Sequence, residues 1–247
     1  MPDWEKDSPQ LRANLTQILE EIAAAAKQRE KPTVEAARRW QALFMRNLEV
    51  RDKRYAGAFR GEAGLENVAV RVGANAGVDP ADVADSLKQF ESKLQQLVAE
   101  LDKVLPRRRD PNLDQVAAII DLCAWAHSEW VRIHPFANGN GRTARLWANS
   151  LAMRYGLPPF IRLRPRPNAS YGHAGAKAMQ GQWKPTAAVF RRLLKIFWQN
   201  IRSEEPAHRP ATAGFDYFLL SPWHTMSITT VLARISTSSC FGAIFTP

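Results

Sequence analysis

Twelve consecutive residues of this sequence, His134-Pro-Phe-Ala-Asn-Gly-Asn-Gly-Arg-Thr-Ala-Arg145, combine types and spacing that could do chemistry. A histidine comes first. The unperturbed imidazole changes charge near neutral pH, which suits a general base. A short loop with Gly139 and Gly141 follows and leads into a new helix. Glycines let backbone approach a ligand closely, and successive N–H groups at a helix N-terminus attract anions. Asn140 adds side-chain donors between the glycines. Arg142 and Arg145 lie three apart, so they share one helix face, and both can fork onto phosphate oxygens. The stretch reads as a polyphosphate cradle with a base at its lip.

The elements that must position this loop are helices. Residues 113–133 form a helix that ends at His134, because the residue before Pro135 is pushed out of the helical region. Residues 141–155 form the helix beyond the loop, with Gly156 as its C-cap. Apolar spacing of three and four predicts further helices over 11–29, 34–48, about 79–104, 169–180 and 186–202. One stretch alternates with period two, Val68, Val70 and Val72, and predicts a strand or hairpin. The fold class expected is therefore all-α with a short β-hairpin. The division expected is an N-terminal helix over 1–32, a core domain over 33–202 and a tail over 203–247.

Composition narrows the class of function. The 247 residues are 45% hydrophobic and 23% charged, an ordinary globular balance. No apolar run approaches the roughly 20 residues of a membrane helix, and the charged N-terminus lacks a secretory signal's apolar stretch. Two cysteines, Cys123 and Cys240, make neither a disulfide framework nor a metal cluster, so a reducing, cytoplasmic compartment is expected. The net charge of +10 sits mainly between Phe160 and Pro210, where ten basic residues face two acidic ones. Such a segment is a solvated basic face or an approach surface for a polyanion. Nucleic acid is not the expected partner, since no helix-turn-helix, zinc or RNP signature accompanies it.

The cradle resembles the signature of Fic-domain proteins, His-Pro-Phe-x-Asp/Glu-Gly-Asn-Gly-Arg-x-x-Arg, departing from it at Asn138. The run Gly57-Ala-Phe-Arg60 and the strand after it resemble that family's arginine loop and flap, and the resemblance spans about Thr33 to Arg202. It implies a Fic (Fido) helical core, magnesium-dependent use of ATP as substrate, and transfer of AMP to a protein hydroxyl with release of pyrophosphate. His134 would deprotonate the target hydroxyl. Gly139, Asn140 and Gly141 would hold the α- and β-phosphates, and Arg142 and Arg145 the outer phosphates. Phe136 would anchor the loop inward, and Tyr171 falls where similar proteins place a tyrosine near the adenine. The flap residues Asn67, Val68, Ala69 and Val70 would hold the target protein by strand addition. Asn138 stands where the family has a Mg²⁺-binding carboxylate. Its amide oxygen can also ligate Mg²⁺, but without charge, so a weakened metal site is expected.

Many Fic proteins are inhibited by a glutamate in a Ser/Thr-x-x-x-Glu-Gly/Asn helix. Thr16-Gln-Ile-Leu-Glu20 matches five positions, with Glu21 where Gly or Asn belongs. Glu20 is thus a candidate inhibitor of the site; otherwise a separate antitoxin-like partner would supply inhibition. Two alternatives to adenylyl transfer stand beside it: transfer of another phosphate-linked group, and a non-catalytic basic module binding nucleic acid or a partner through a vestigial nucleotide site. Residues 214–247 carry two charged residues in 34 and no clean period, unlike the rest. A chain ending near Pro210 should therefore keep its helical circular dichroism and a cooperative melt; loss of soluble protein would show the tail packs on the core.

Overall fold

A computed structural model describes residues 8–50, 52–107, 110–167 and 169–203. The tail set apart in the sequence lies outside these residues, apart from Ser203. The described residues hold seven α-helices and one two-stranded hairpin, as the all-α expectation requires. In chain order these are α1 (Pro9–Gln28), α2 (Val34–Met45), β1 (Arg71–Val72), β2 (Asn75–Ala76), α3 (Val83–Val104), α4 (Leu113–Ile133), α5 (Asn140–Arg154), α6 (Ala169–Ala178) and α7 (Lys184–Ser203). None is long and apolar enough to cross a membrane.

Local chemistry sets the helix ends. Ser8 caps α1 by accepting from the Leu11 N–H at 3.1 Å, and Pro9 occupies the first turn, where no N–H is needed. Thr33 caps α2. Asn112 and Gln115 form a reciprocal capping box on α4.

Helix α4 is the central element. It packs against α3, α5, α6 and α7, and its buried face includes Ala118, Ala124 and Ala126, whose small side chains let neighbours approach. Trp130 lies at the middle of an aromatic cluster, with Phe59, Phe90, Phe136 and Trp147 at ring separations of 5.4–6.4 Å. Because α4 ends beside this cluster and α5 begins one short loop later, the loop between them stands on rigid ground.

Helix α1, set apart in the sequence as an N-terminal segment, packs against α2 and α5. Its stripe of Leu11, Leu15, Ile18 and Ile22 is buried in the same core as α4 and α5. Asn14, fully buried, donates to the carbonyls of Phe44 (3.3 Å) and Arg46 (2.7 Å), tying α1 to the end of α2.

The hairpin is also shorter than the valine alternation suggests. Pairing covers Arg71 with Ala76 and Val72 with Asn75, followed by one bond from the Gly77 N–H to the Val70 carbonyl. Val68 and Ala69 take no part, because their N–H groups turn back on Leu65 and Asn67 and the Val68 carbonyl is claimed by Arg60.

Ile18 has no exposed surface. Ile18→Ala should cost about 2–5 kcal/mol in chemical denaturation, the usual penalty for a cavity in a packed core. A helix merely resting on the domain would leave the global transition unmoved.

Candidate active site

His134 caps the C-terminus of α4 and adopts a left-handed conformation (φ 54°), its N–H still bonded to the Trp130 carbonyl at 2.9 Å. Its ring Nδ1 lies 3.1 Å from the Val131 carbonyl oxygen. A carbonyl can only accept, so that geometry puts the proton on Nδ1 and leaves the Nε2 lone pair bare. Burial lowers the pKa from the ordinary histidine value, and the nearby Arg60 charge lowers it further against the opposing effect of the Val131 bond. The ring is thus a neutral base at pH 7.

The loop after it is clamped. Asn140 accepts from the Phe136 N–H at 2.9 Å and donates to the Phe136 carbonyl at 2.7 Å. Its side chain therefore clamps the loop, and the first-turn backbone N–H is a further donor for a ligand. Phe136 is buried against Phe59 at 4.8 Å.

Gly139 caps α5 with φ 89°, and a Cβ there would sit 2.5 Å from Phe44 Cζ. The Gly139 carbonyl takes the N–H groups of Arg142 and Thr143, both at 3.0 Å. The N–H groups of Asn140 and Gly141, in the first turn, have no carbonyl one turn behind them and face the anion-attracting end of the helix. A Cβ on Gly141 would meet its nearest neighbour, Arg145 Nη1, at an ordinary 3.6 Å. The protein's own packing therefore does not demand glycine at 141; the reason for it there would be the close approach of a ligand.

Arg142 and Arg145 are both buried on α5. The Arg142 guanidinium stands 5.2 Å over the Phe44 ring. Arg145 donates to the Leu163 carbonyl (3.0 Å) and lies 3.4 Å from the Tyr171 hydroxyl, which is 2.6 Å from His127 Nε2. Burial and the Arg145 charge push the His127 pKa down to about 3, so this relay carries one positive charge, on Arg145. Tyr171 is buried and engaged in holding Arg145. Glu20 is not brought to this arginine: it is exposed on α1, and the adjacent Glu21 faces Arg39 at 3.6 Å.

The flap closes the other side. Val68, Ala69 and Val70 line a cavity of about 240 Å³ together with Ala137 and Asn138, while Asn67 is exposed at its approach. Two residues build this wall: Arg60, which the sequence offered only as part of the arginine-loop run, and Gln41, which it did not offer at all. Arg60, 2% exposed, donates to the carbonyls of His134 (2.8 Å), Val68 (3.1 Å), Val78 (2.7 Å) and Ile133 (3.1 Å). Gln41, fully buried, bonds the Tyr55 carbonyl (2.9 Å), the Asn138 carbonyl (3.2 Å) and the Gly57 N–H (2.5 Å). A family-like Gly-Ala-Phe-Arg run was the available signal for Arg60; Gln41 left none.

Asn138 does not fit the metal role. Its Oδ1, the atom a cation would need, accepts from the Gly139 N–H at 2.7 Å, so the side chain offers the cavity an amide NH₂. Mg²⁺ favours carboxylate and other oxygen ligands. Among the described residues no group of three His, Cys, Asp or Glu side chains could hold a metal ion.

Residues 32–152 match the Fic/DOC family. The protein adenylyltransferase Fic of Drosophila erecta is 32% identical over 118 residues, 47% of this chain and 20% of that protein. The Drosophila persimilis protein adenylyltransferase Fic is 42% identical over 66 residues, 27% of this chain and 13% of that protein. The chain thus spans a fifth or less of the length of these relatives. The fold is similar to a Fic domain containing signalling protein from Bacteroides thetaiotaomicron (TM-score 0.55, 19% identity, 80% of this chain and 74% of that one). It is also similar to Fic-1 from C. elegans (TM-score 0.53, 24% identity, 77% and 49%).

The two glycines should separate experimentally. Gly139→Ala places a Cβ in the left-handed region and against Phe44, and should cost about 2 kcal/mol or more in denaturant unfolding. Gly141→Ala should leave stability unchanged or raise it by up to about 1 kcal/mol, because alanine favours the helix.

Proposed function

We propose, from the match of residues 32–152 to the Fic/DOC family, that the chain transfers AMP from ATP to a hydroxyl side chain of a target protein, releasing pyrophosphate. The observation that carries this reading is the neutral His134, its Nε2 bare, at the lip of a helix N-terminus flanked by two buried arginines.

In this reading His134 Nε2 takes the proton of the target hydroxyl as its oxygen attacks the α-phosphorus. The new O–P bond forms as the bond to the pyrophosphate oxygen breaks, and the proton on His134 passes to solvent after the products leave. The backbone N–H groups of Asn140 and Gly141 receive α- and β-phosphate oxygens. Arg142 and Arg145 receive the outer phosphates, where negative charge grows as pyrophosphate departs. Tyr171 and the Leu163 carbonyl fix Arg145 so that it loses little freedom on binding. The segment Asn67 to Val70 holds the target chain by strand addition, with the hairpin behind it as support. Glu20, exposed on α1, does not oppose Arg145, and among the described residues no other carboxylate is paired with it, which favours a separate antitoxin-like inhibitor over internal control. One observation favours a variant of this chemistry: the Asn138 oxygen is committed to Gly139, so a donor other than Mg·ATP, carrying another phosphate-linked group, also suits the cradle.

His134→Ala should lower label transfer from α-labelled ATP by about 10²–10⁴, the usual worth of a positioned base, while leaving nucleotide affinity within a few-fold of wild type. Because the folded pKa is below the ordinary value, the base remains neutral into mildly acidic solution. The rate should therefore fall only as pH drops through that lowered pKa. An acid limb centred above the ordinary histidine value would contradict the assignment.

A further inference from the structure

Position 138 offers the opposite hydrogen-bonding polarity from the one a metal needs. We infer that this site takes its nucleotide as a metal-free polyphosphate, with the Asn138 Nδ2 donating to a phosphate oxygen in place of a protein-held cation. This rests on the nucleotide reading of the site and specifies how the anion is neutralised.

Three observations support it. The Asn138 Oδ1 is held by the Gly139 N–H at 2.7 Å, and an N–H can be answered only by an oxygen, so the amide orientation is fixed by its partner. The Asn138 backbone is held in turn by Gln41, which is fully buried and also fastened to Tyr55 and Gly57, so the amide has a rigid base. None of the eight residues lining the cavity at Asn138 is acidic. The next residue, Gly139, caps the N-terminus of α5, and Arg142 and Arg145 are buried in the first turns of that helix. A helix N-terminus with no carboxylate in the adjoining cavity disfavours a protein-held dication, whereas polyphosphate oxygens are attracted to it. The donor that replaces the metal is weaker but costs less to dehydrate, because Mg²⁺ gives up its waters reluctantly.

Asn138→Asp is a near-isosteric test. An aspartate oxygen still accepts from the Gly139 N–H, so the loop is kept, and only the group facing the cavity changes, from donor to anion. The measurement is calorimetric titration of a non-hydrolysable ATP analogue into the full chain, in EDTA and in excess MgCl₂. Wild type should bind in both buffers with affinities within about threefold. Asn138→Asp should bind at least tenfold more weakly than wild type in EDTA and recover when Mg²⁺ is added. A tenfold or greater loss by wild type in EDTA overturns the inference and leaves the nucleotide reading standing. So does Asn138→Asp binding as tightly as wild type in EDTA. Absence of binding by either protein in either buffer overturns the nucleotide reading and the inference with it.

Discussion

The Arg60 guanidinium holds the two walls of the site together. It is buried with backbone carbonyls as its partners: Val68 and Val78 on the flap side, Ile133 and His134 at the end of α4. Burial makes the charge costly and lowers its pKa, with Asp79 opposing. Charge-assisted bonds to several carbonyls offset that cost, and each satisfies a carbonyl that the end of a helix or an irregular strand would otherwise leave open. The conformation of His134 follows from the same anchor. A left-handed non-glycine residue is strained, and its carbonyl is held in place by Arg60 Nε. Base and flap are therefore not independently placed; one side chain sets the distance between them. Gly77 shows how tight that arrangement is, since a Cβ there would meet His134, Val70 and Arg60 within 2.9–3.1 Å.

The second support comes from the opposite direction, through apolar contacts. Asn14 on α1 holds the carbonyls at the end of α2, α2 carries Phe44, and Phe44 lies under both Gly139 and Arg142. A ring thus forms the floor of a charged cradle. It excludes water beneath the backbone N–H groups and presents its face to a guanidinium, which strengthens the electrostatics above it.

What was legible in the sequence was local. The run from His134 to Arg145 is contiguous, so types and spacing alone showed a base, a turn and two arginines on one helix face. The stripes on α1, α3 and α4 gave the helices because burial repeats with the helical period. What was missed was long-range and directed at backbone. Arg60 reaches carbonyls more than 70 residues away, and Gln41 one 97 residues away. A side chain that seeks a carbonyl leaves no pattern in its partner's identity. The same blindness explains Asn140, which sits where a ligand-binding amide would but is claimed by Phe136. It also explains α1: amphipathicity shows that a helix has a partner without saying that the partner is the core below the site.

The two-point clamp of Asn140 on Phe136 has a consequence for how this site can change. Both backbone groups of Phe136 are taken by one short side chain, and Gly139 is fixed by its conformation and by Phe44. An inserted residue would have to break one of these, so the loop cannot drift in length. Pro135, Phe136 and Gly139 are buried, while Ala137 and Asn138 between them line the cavity. The chassis is thus separated from two adjustable positions. Replacing those two side chains, at 138 by one that still accepts from the Gly139 N–H, retunes what the cavity admits without reopening the folding problem, and selection or engineering of new donor preference has there a short stretch in which to work.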